Sequence, residues 1–273
     1  MDQYAVFGNP IDHSRSPFIH QQFALQSQQA INYQAIEVEL DAFAATTATF
    51  FSADGRNGWG ANVTVPFKEQ AFEICDKVSE RAQQAGAVNT LIKAANGEVH
   101  GDNTDGIGLV CDLLNKDVKL AGSNILLLGA GGAARGVIAP LLARSPKQLV
   151  LSNRTIEKAV NLTGHFNHPK LTTGELAQLG KYKFDLIINA TSAGLSGKIP
   201  ALPSNCLTSK TICYDMVYLD GITPFNQWAQ DNGVKTTFDG LGMLVEQAAE
   251  SFSLWRGVSP DTQAVLAQLR AML

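Results

Sequence analysis

Two stretches of this sequence hold residue types that can do chemistry at an informative spacing. The first is "GAGGAARG" at Gly129–Gly136, directly after the apolar run "ILLL" at Ile125–Leu128. Its spacing is G-x-G-x-x-A. Gly129 permits a tight turn, Gly131 lets a pyrophosphate approach the backbone, and Ala134 allows close helix–strand packing. A helix opening here aims free N–H groups and its positive dipole end at an anion. Gly129, Ala130, Gly131, Gly132 and Ala133 therefore read as a dinucleotide loop. The next strand ends in "SNRTIEK". An NAD site usually has a carboxylate there for the ribose hydroxyls; this chain has Asn153, Arg154 and Thr155, with Lys158 one turn on. Arg154 lies 25 positions after Gly129. A cation at that strand end suits a 2′-phosphate, so the cofactor expected is NADP. The competing reading is a solvated Arg154 beside a Thr155 helix cap.

The second set is a group of acid–base candidates. An enzyme that interconverts an alcohol and a ketone with a nicotinamide must move a proton as well as a hydride. Lys68 lies one turn into the helix after "NVTVPF", and Asp105 lies in "GDNTDG". Asn62 and Thr64 are two apart on one strand and share a face. Asn89 begins a hairpin pair. Spacing by itself does not show that these groups converge, and on spacing alone Lys68 reads as a solvated lysine.

The elements that must position them can be read along the chain. "YAVFG", "NYQAIEV" and "GWGANVTVP" read as strands. "SPFIHQQFALQ" reads as a helix capped by Ser16 with Pro17 behind it, and "DAFAATTATFF" as one capped by Asp41. "FKEQAFEIC" and "SERAQQAG" are helical. "AVNTLIKAANGEVHG" is a hairpin turned at Asn96-Gly97. After Asp105 the pattern changes. "ILLL", "QLVLSNR", "FDLIINATS" and "TICYDMV" read as continuous apolar strands separated by helices, the mark of a parallel sheet covered on both faces. Two domains follow: residues 1–105, a smaller α/β unit, and residues 106–240, a doubly wound Rossmann-like unit. The tail at 241–273 is helical again and is predicted to pack back on the first domain.

Composition narrows the function classes. The chain has 273 residues, a formal charge of −4, 45% apolar and 17% charged residues. It is a folded globule, and its acidic balance argues against non-specific nucleic-acid binding. Cys75, Cys111, Cys206 and Cys213 form no C-x-x-C pair and read as reduced, buried thiols. His165 and His168 read as surface residues in a loop, with no third ligand near, so no metal is expected. Tyr4, Trp59, Trp228 and Trp255 read as core or partly buried aromatics. The opening "MDQYAVFGNP" reads as a strand and a turn, so no signal peptide is expected, and no apolar run reaches span length. The expectation is a cytoplasmic monomer or homodimer with no membrane and no nucleic-acid partner.

Along nearly its whole length the sequence resembles the shikimate dehydrogenases. The matching pieces are "GNPIDHSRSP" (Gly8–Pro17), "NVTVPFK" (Asn62–Lys68), "AVNT" (Ala87–Thr90), "GDNTDG" (Gly101–Gly106), the glycine loop, "NRT" (Asn153–Thr155), "NATSAG" (Asn189–Gly194), "YDMVY" (Tyr214–Tyr218) and "DGLGMLVEQA" (Asp239–Ala248). The resemblance implies NADPH-dependent reduction of 3-dehydroshikimate to shikimate, with Lys68 and Asp105 as the catalytic pair. It implies that Ser14 and Ser16 hold the substrate carboxylate. Asn62, Thr64, Asn89, Asp105, Tyr218 and Gln247 would contact ring hydroxyls. The cofactor would lie on the glycine loop, "NRT" with Lys158, and the backbone near Met216, Val217, Gly240 and Met243. Two alternatives stay open: a relaxed quinate/shikimate dehydrogenase accepting NAD, and a silent sensor of a cyclitol acid and a nucleotide.

Overall fold

In the computed structural model the chain forms two compact units, Met1–Gly108 with Leu244–Leu269, and Leu109–Met243 with Arg270–Leu273. The structure describes all residues except 192, 195, 196 and 198. Ser192 of the "NATSAG" motif therefore lies outside the described residues.

The first unit runs β1 (Asp2–Gly8), α1 (Ser16–Gln26), β2 (Ile31–Glu37), α2 (Phe43–Phe51), β3 (Gly58–Val63), α3 (Lys68–Ile74), β4 (Lys77–Val78), α4 (Glu80–Ala85), β5 (Thr90–Lys93) and β6 (Val99–Asp102). Its six-stranded sheet has the order β2-β1-β3-β5-β6-β4. β1 pairs in parallel with β2 and β3, and β5 pairs antiparallel with β3 and β6. Phe7, Phe43, Phe50 and Phe67 fill a core beside this sheet, with Phe43 stacked on Phe67 at 4.9 Å. The hairpin between β5 and β6 turns where the Asn-Gly signal placed it, with Gly97 at φ 89°.

Helix α5 (Asp105–Asn115) runs from the first unit into the second, which continues with β7 (Asn124–Leu128), α6 (Gly132–Ala143), β8 (Gln148–Ser152), α7 (Ile156–Phe166), β9 (Leu171–Thr173), β10 (Leu186–Asn189), β11 (Ile212–Asp215), α8 (Pro224–Asp231) and β12 (Thr236–Phe238). All strands are parallel, in the order β12-β11-β10-β7-β8-β9. Numbered within the unit this is the 3-2-1-4-5-6 order of a dinucleotide-binding sheet, with its switch point between β7 and β10. Alternate strand residues feed opposite cores. Ile125, Leu127, Leu149, Leu151 and Ile188 pack with α5, α6 and α7, while Leu126, Leu128, Val150 and Ile187 pack with α8. That is why these strands read as unbroken apolar runs.

Two helices close the chain, α9 (Leu241–Arg256) and α10 (Thr262–Arg270). From Leu244 to Leu269 they belong to the first unit, as the tail was expected to. Within that unit Gln247, Ser251 and Trp255 recur at a spacing of four, so they share one face of α9.

Several local readings need correction. Ser16 is the first residue of α1, not its cap; Arg15 holds that position, and the Ser16 N–H donates to Ser14 Oγ at 3.3 Å. Asp41 caps nothing, because α2 starts later, behind Ala42. Lys68 opens α3 instead of lying one turn in. His165 lies in the last turn of α7. For the first three the periodic apolar pattern located the helix, while the loop before it decided which residue opens the first turn; for His165 the helix runs on past the expected end.

Candidate active site

The first unit gathers most of the polar candidates around one ion pair. Lys68 Nζ lies 2.5 Å from Asp105 Oδ2, and the two side chains are largely shielded from solvent. Both residues begin helices. Asp105 at the start of α5 is favoured by the helix dipole; Lys68 at the start of α3 is opposed by it. A lysine held where the dipole disfavours it serves its carboxylate partner and not the helix.

Asp105 is fixed from both sides. Its Oδ1 accepts from Asn89 Nδ2 at 2.8 Å, and its N–H donates to Asn103 Oδ1 at 3.2 Å. Asn89 cannot rotate, since its Oδ1 accepts from the Thr104 N–H at 2.9 Å and from Thr90 Oγ1 at 2.8 Å. Gln247 Oε1 lies 3.4 Å from both Asn89 Nδ2 and Thr104 Oγ1. The loop entering Asp105 is braced by a fork of two Arg81 bonds to Asp102, at 2.6 and 2.8 Å; such bidentate pairs combine strength with fixed geometry. Arg81 also reaches Glu250 at 2.9 Å. Arg81, Asp102, Thr90, Thr104 and Ser251 were missed at the sequence level. Only the spacing of four between Gln247 and Ser251 could have marked the last of them.

Ser14 and Ser16 lie where α1 begins. Thr64 lies just past the end of β3, half-buried, with its N–H still donating to Phe7 O at 2.9 Å. Tyr218 follows β11 in the second unit.

Asn62 rests on His20 and Tyr33, whose rings stack at 4.2 Å and 10°. Burial pushes the His20 imidazole down to about 3, below its ordinary value of about 6.5. The unfolded chain therefore takes up a proton that the folded chain refuses, so stability is full above pH 6.5 and falls as pH drops toward 3. One such group contributes at most about 1.4 kcal/mol per pH unit. Urea unfolding at pH 7.5 and pH 5 is expected to show a loss of about 2 kcal/mol in the wild type that His20→Gln lacks. Parallel pH dependence in both proteins would show that His20 is not the group responsible.

The second unit collects the cofactor candidates at the carboxyl ends of its strands. Gly129 follows β7 at φ 112°, a conformation that favours glycine, and a Cβ there would come within 3.0 Å of Ala190 O. Gly131 precedes α6 and, like Gly132, has open space where a side chain would be. The first turn of α6 has no acidic residue. Free N–H groups, open space and an uncompensated dipole fit a pyrophosphate. Ala130 and Ala133 flank these glycines, and Ala134 is buried in the core between α6 and the sheet. Asn153, Arg154 and Thr155 follow β8. Arg154 and Lys158 are exposed, and neither takes part in an ion pair among the described residues. Thr155 precedes α7 without a side-chain cap bond. Met216 and Val217 follow β11. Their backbone is pinned by Asn189 O, by Asp215 Oδ1 and by the Gly240 N–H. A Cβ at Gly240 would collide with the Met216 carbonyl, so glycine is required there. Met243 lies in the buried core. Among the described residues no group of three His, Cys, Asp or Glu could hold a metal.

Three family models match stretches of the chain. Residues 6–91 match the Shikimate dehydrogenase substrate binding domain, residues 112–196 match Shikimate / quinate 5-dehydrogenase, and residues 240–270 match the Shikimate 5'-dehydrogenase C-terminal domain. The chain is 53% identical over 272 residues to the shikimate dehydrogenase (NADP(+)) of Colwellia psychrerythraea, covering 100% of this chain and 98% of that protein. This chain belongs to the shikimate dehydrogenase family. Among solved structures it is similar to an Ael1 enzyme from Pseudomonas putida, with a TM-score of 0.93, 45% identity and 98% of each chain covered. It is also similar to the shikimate 5-dehydrogenase of Thermus thermophilus in complex with NADP(H) and shikimate, with a TM-score of 0.89, 32% identity and 100% of each chain covered. In this chain no helix among the described residues is long and apolar enough to cross a membrane.

Proposed function

We propose that this family member catalyses the reversible reduction of 3-dehydroshikimate to shikimate with NADPH, and that Lys68 and Asp105 carry the proton chemistry. The observation that carries the reading is the Lys68–Asp105 pair at 2.5 Å, locked by Asn89, in the unit that matches the substrate-binding domain. Bound NADPH supplies the hydride. Lys68 Nζ donates a proton to the alkoxide oxygen that forms as the ketone is reduced, and takes it back in the reverse direction. Asp105 keeps the ammonium aimed and accepts a hydrogen bond from the reacting hydroxyl. Asn89 prevents the carboxylate from turning away. Ser14 and Ser16 hold the substrate carboxylate: the Ser14 hydroxyl already accepts the Ser16 N–H, which leaves its own hydrogen to donate to an anion. Thr64, Gln247 and Tyr218 contact the ring. On the cofactor side, the 129–133 loop binds the pyrophosphate, Arg154 with Asn153, Thr155 and Lys158 binds the 2′-phosphate, and the Met216–Val217 backbone, Gly240 and Met243 line the nicotinamide. We place the enzyme in the cytoplasm, as a monomer or homodimer.

The deciding experiment incubates the protein with shikimate and NADP and follows absorbance of the reduced nicotinamide. Parallel arms use quinate and NAD. NADPH formation with shikimate, faster than with either substitute, is the expected result. Faster turnover of quinate with NAD would give a relaxed dehydrogenase instead. Binding of both ligands with no reduced nicotinamide formed would make the chain a sensor.

A further inference from the structure

Asn62 was expected to touch a ring hydroxyl, yet its amide has no hydrogen-bonding capacity left for one. Nδ2 carries two hydrogens and faces three acceptors, Ser251 Oγ at 3.0 Å, Asn89 O at 3.3 Å and Thr90 Oγ1 at 3.3 Å. A backbone carbonyl can only accept, so the orientation of the amide is settled. Oδ1 has two lone pairs. They take the Tyr33 hydroxyl at 2.7 Å and His20 Nε2 at 3.1 Å. His20 must then carry its proton on Nε2. Its Nδ1 is buried and has no partner, as suits a neutral ring. Burial holds the Tyr33 phenol well above its usual range, so it remains a donor.

The donors cannot swing away. Tyr33 and His20 are stacked on each other, and Trp255 lies 5.2 Å from the imidazole centre. The Trp255 indole N–H is itself tied to Leu91 O at 3.0 Å. From Asn62 a short path of buried bonds leads to the ion pair. Nδ2 donates to Thr90 Oγ1, Thr90 donates to Asn89 Oδ1 at 2.8 Å, and Asn89 donates to Asp105 Oδ1 at 2.8 Å. Buried polar networks of this kind are rigid when every member is satisfied and costly when one is not.

We propose that Tyr33 and His20 are positioning residues for the reaction: they lock the Asn62 amide, which through Thr90 and Asn89 holds Asp105 beside Lys68. Asn62 thus acts through the protein and not on the substrate. The inference rests on the reading of Lys68 and Asp105 as the reacting pair.

A double-mutant cycle tests it. Tyr33→Phe keeps the ring stack and removes one donor to Asn62, together with an oxygen that also bonds the Ser16 side chain. In the wild-type background kcat with shikimate is expected to fall about three- to ten-fold, with the KM for NADP unchanged. In an Asp105→Asn background, followed by single turnover with excess enzyme, the same change should cost less than about two-fold. His20→Gln, which keeps an N–H donor, should retain kcat to within about two-fold, whereas His20→Phe should not. An equal cost of Tyr33→Phe in both backgrounds, a matching rise in the KM for NADP, or no cost in the wild-type background would overturn the proposal. Absence of shikimate turnover in the wild type would instead remove the functional reading, and this inference with it.

Discussion

Replacing Lys68 by alanine is expected to cost about 10²–10⁴-fold in kcat, the usual loss when a positioned acid–base group is removed, while shikimate binds with comparatively little change. The geometry explains the asymmetry. Removing the ammonium deletes the group 2.5 Å from Asp105 Oδ2, but Oδ1 is still held by Asn89. The carboxylate therefore stays in place to accept the substrate hydroxyl, and only proton transfer is lost. Lys68→Arg sharpens the test. It restores the positive charge and its attraction for Asp105, yet a guanidinium does not give up a proton in proteins. If charge alone mattered, the arginine variant would recover most of the turnover; if the proton matters, it stays nearly as slow as the alanine variant. Steady-state rates in both directions, across several pH values, give the answer. Near-normal turnover of the alanine variant throughout that range would show that another group moves the proton.

Arg154→Ala is expected to weaken NADP about ten- to hundred-fold, from the loss of a charge-assisted bond of about 1.5–3 kcal/mol, and to leave NAD nearly unchanged. Arg154 is exposed beyond the end of β8 and forms no ion pair among the described residues, so its removal breaks nothing in the resting fold. Thermal stability should accordingly not move. Because phosphate contacts made by exposed cations are screened by salt, the difference between wild type and variant should shrink as ionic strength rises. Titrating each cofactor by fluorescence, at two salt concentrations, checks both parts. Equal losses for NADP and NAD would mean that Arg154 contacts a part the two cofactors share.

The sequence made the second unit easy to read. Each central strand is an unbroken apolar run because both faces are covered, and Gly129 marks the turn after β7 unmistakably. The strands that escaped notice were β4, β9 and β12, two or three residues each. Such short edge strands carry almost no periodicity. The first unit was harder for another reason. Its residues were found as motifs, but Asn62 could not be recognised as a hub, since its partners His20, Tyr33, Thr90 and Ser251 lie 42, 29, 28 and 189 positions away. Hydrogen-bond saturation is a property of the folded environment, and no local pattern announces it. Ser16 shows the same limit in miniature: residue type suggested a cap, while the loop's exit from β1 decided which residue filled it.

The membership of residues 244–269 in the first unit also bears on when that unit can form. Asn62 needs Ser251, Arg81 needs Glu250, and Gly60 has no side chain because Trp255 occupies the space. A chain growing from its N-terminus usually folds its first domain first. Here the first 108 residues emerge from the ribosome without the helix that satisfies their buried polar groups, and wait while the whole parallel sheet is made. The nucleotide-binding unit has nearly all its strands and helices in hand earlier. The substrate-binding unit is therefore completed only after the parallel sheet, although its own sheet is translated first, and a chain cut short before residue 244 would hold every catalytic side chain proposed here without the helix that keeps them in register.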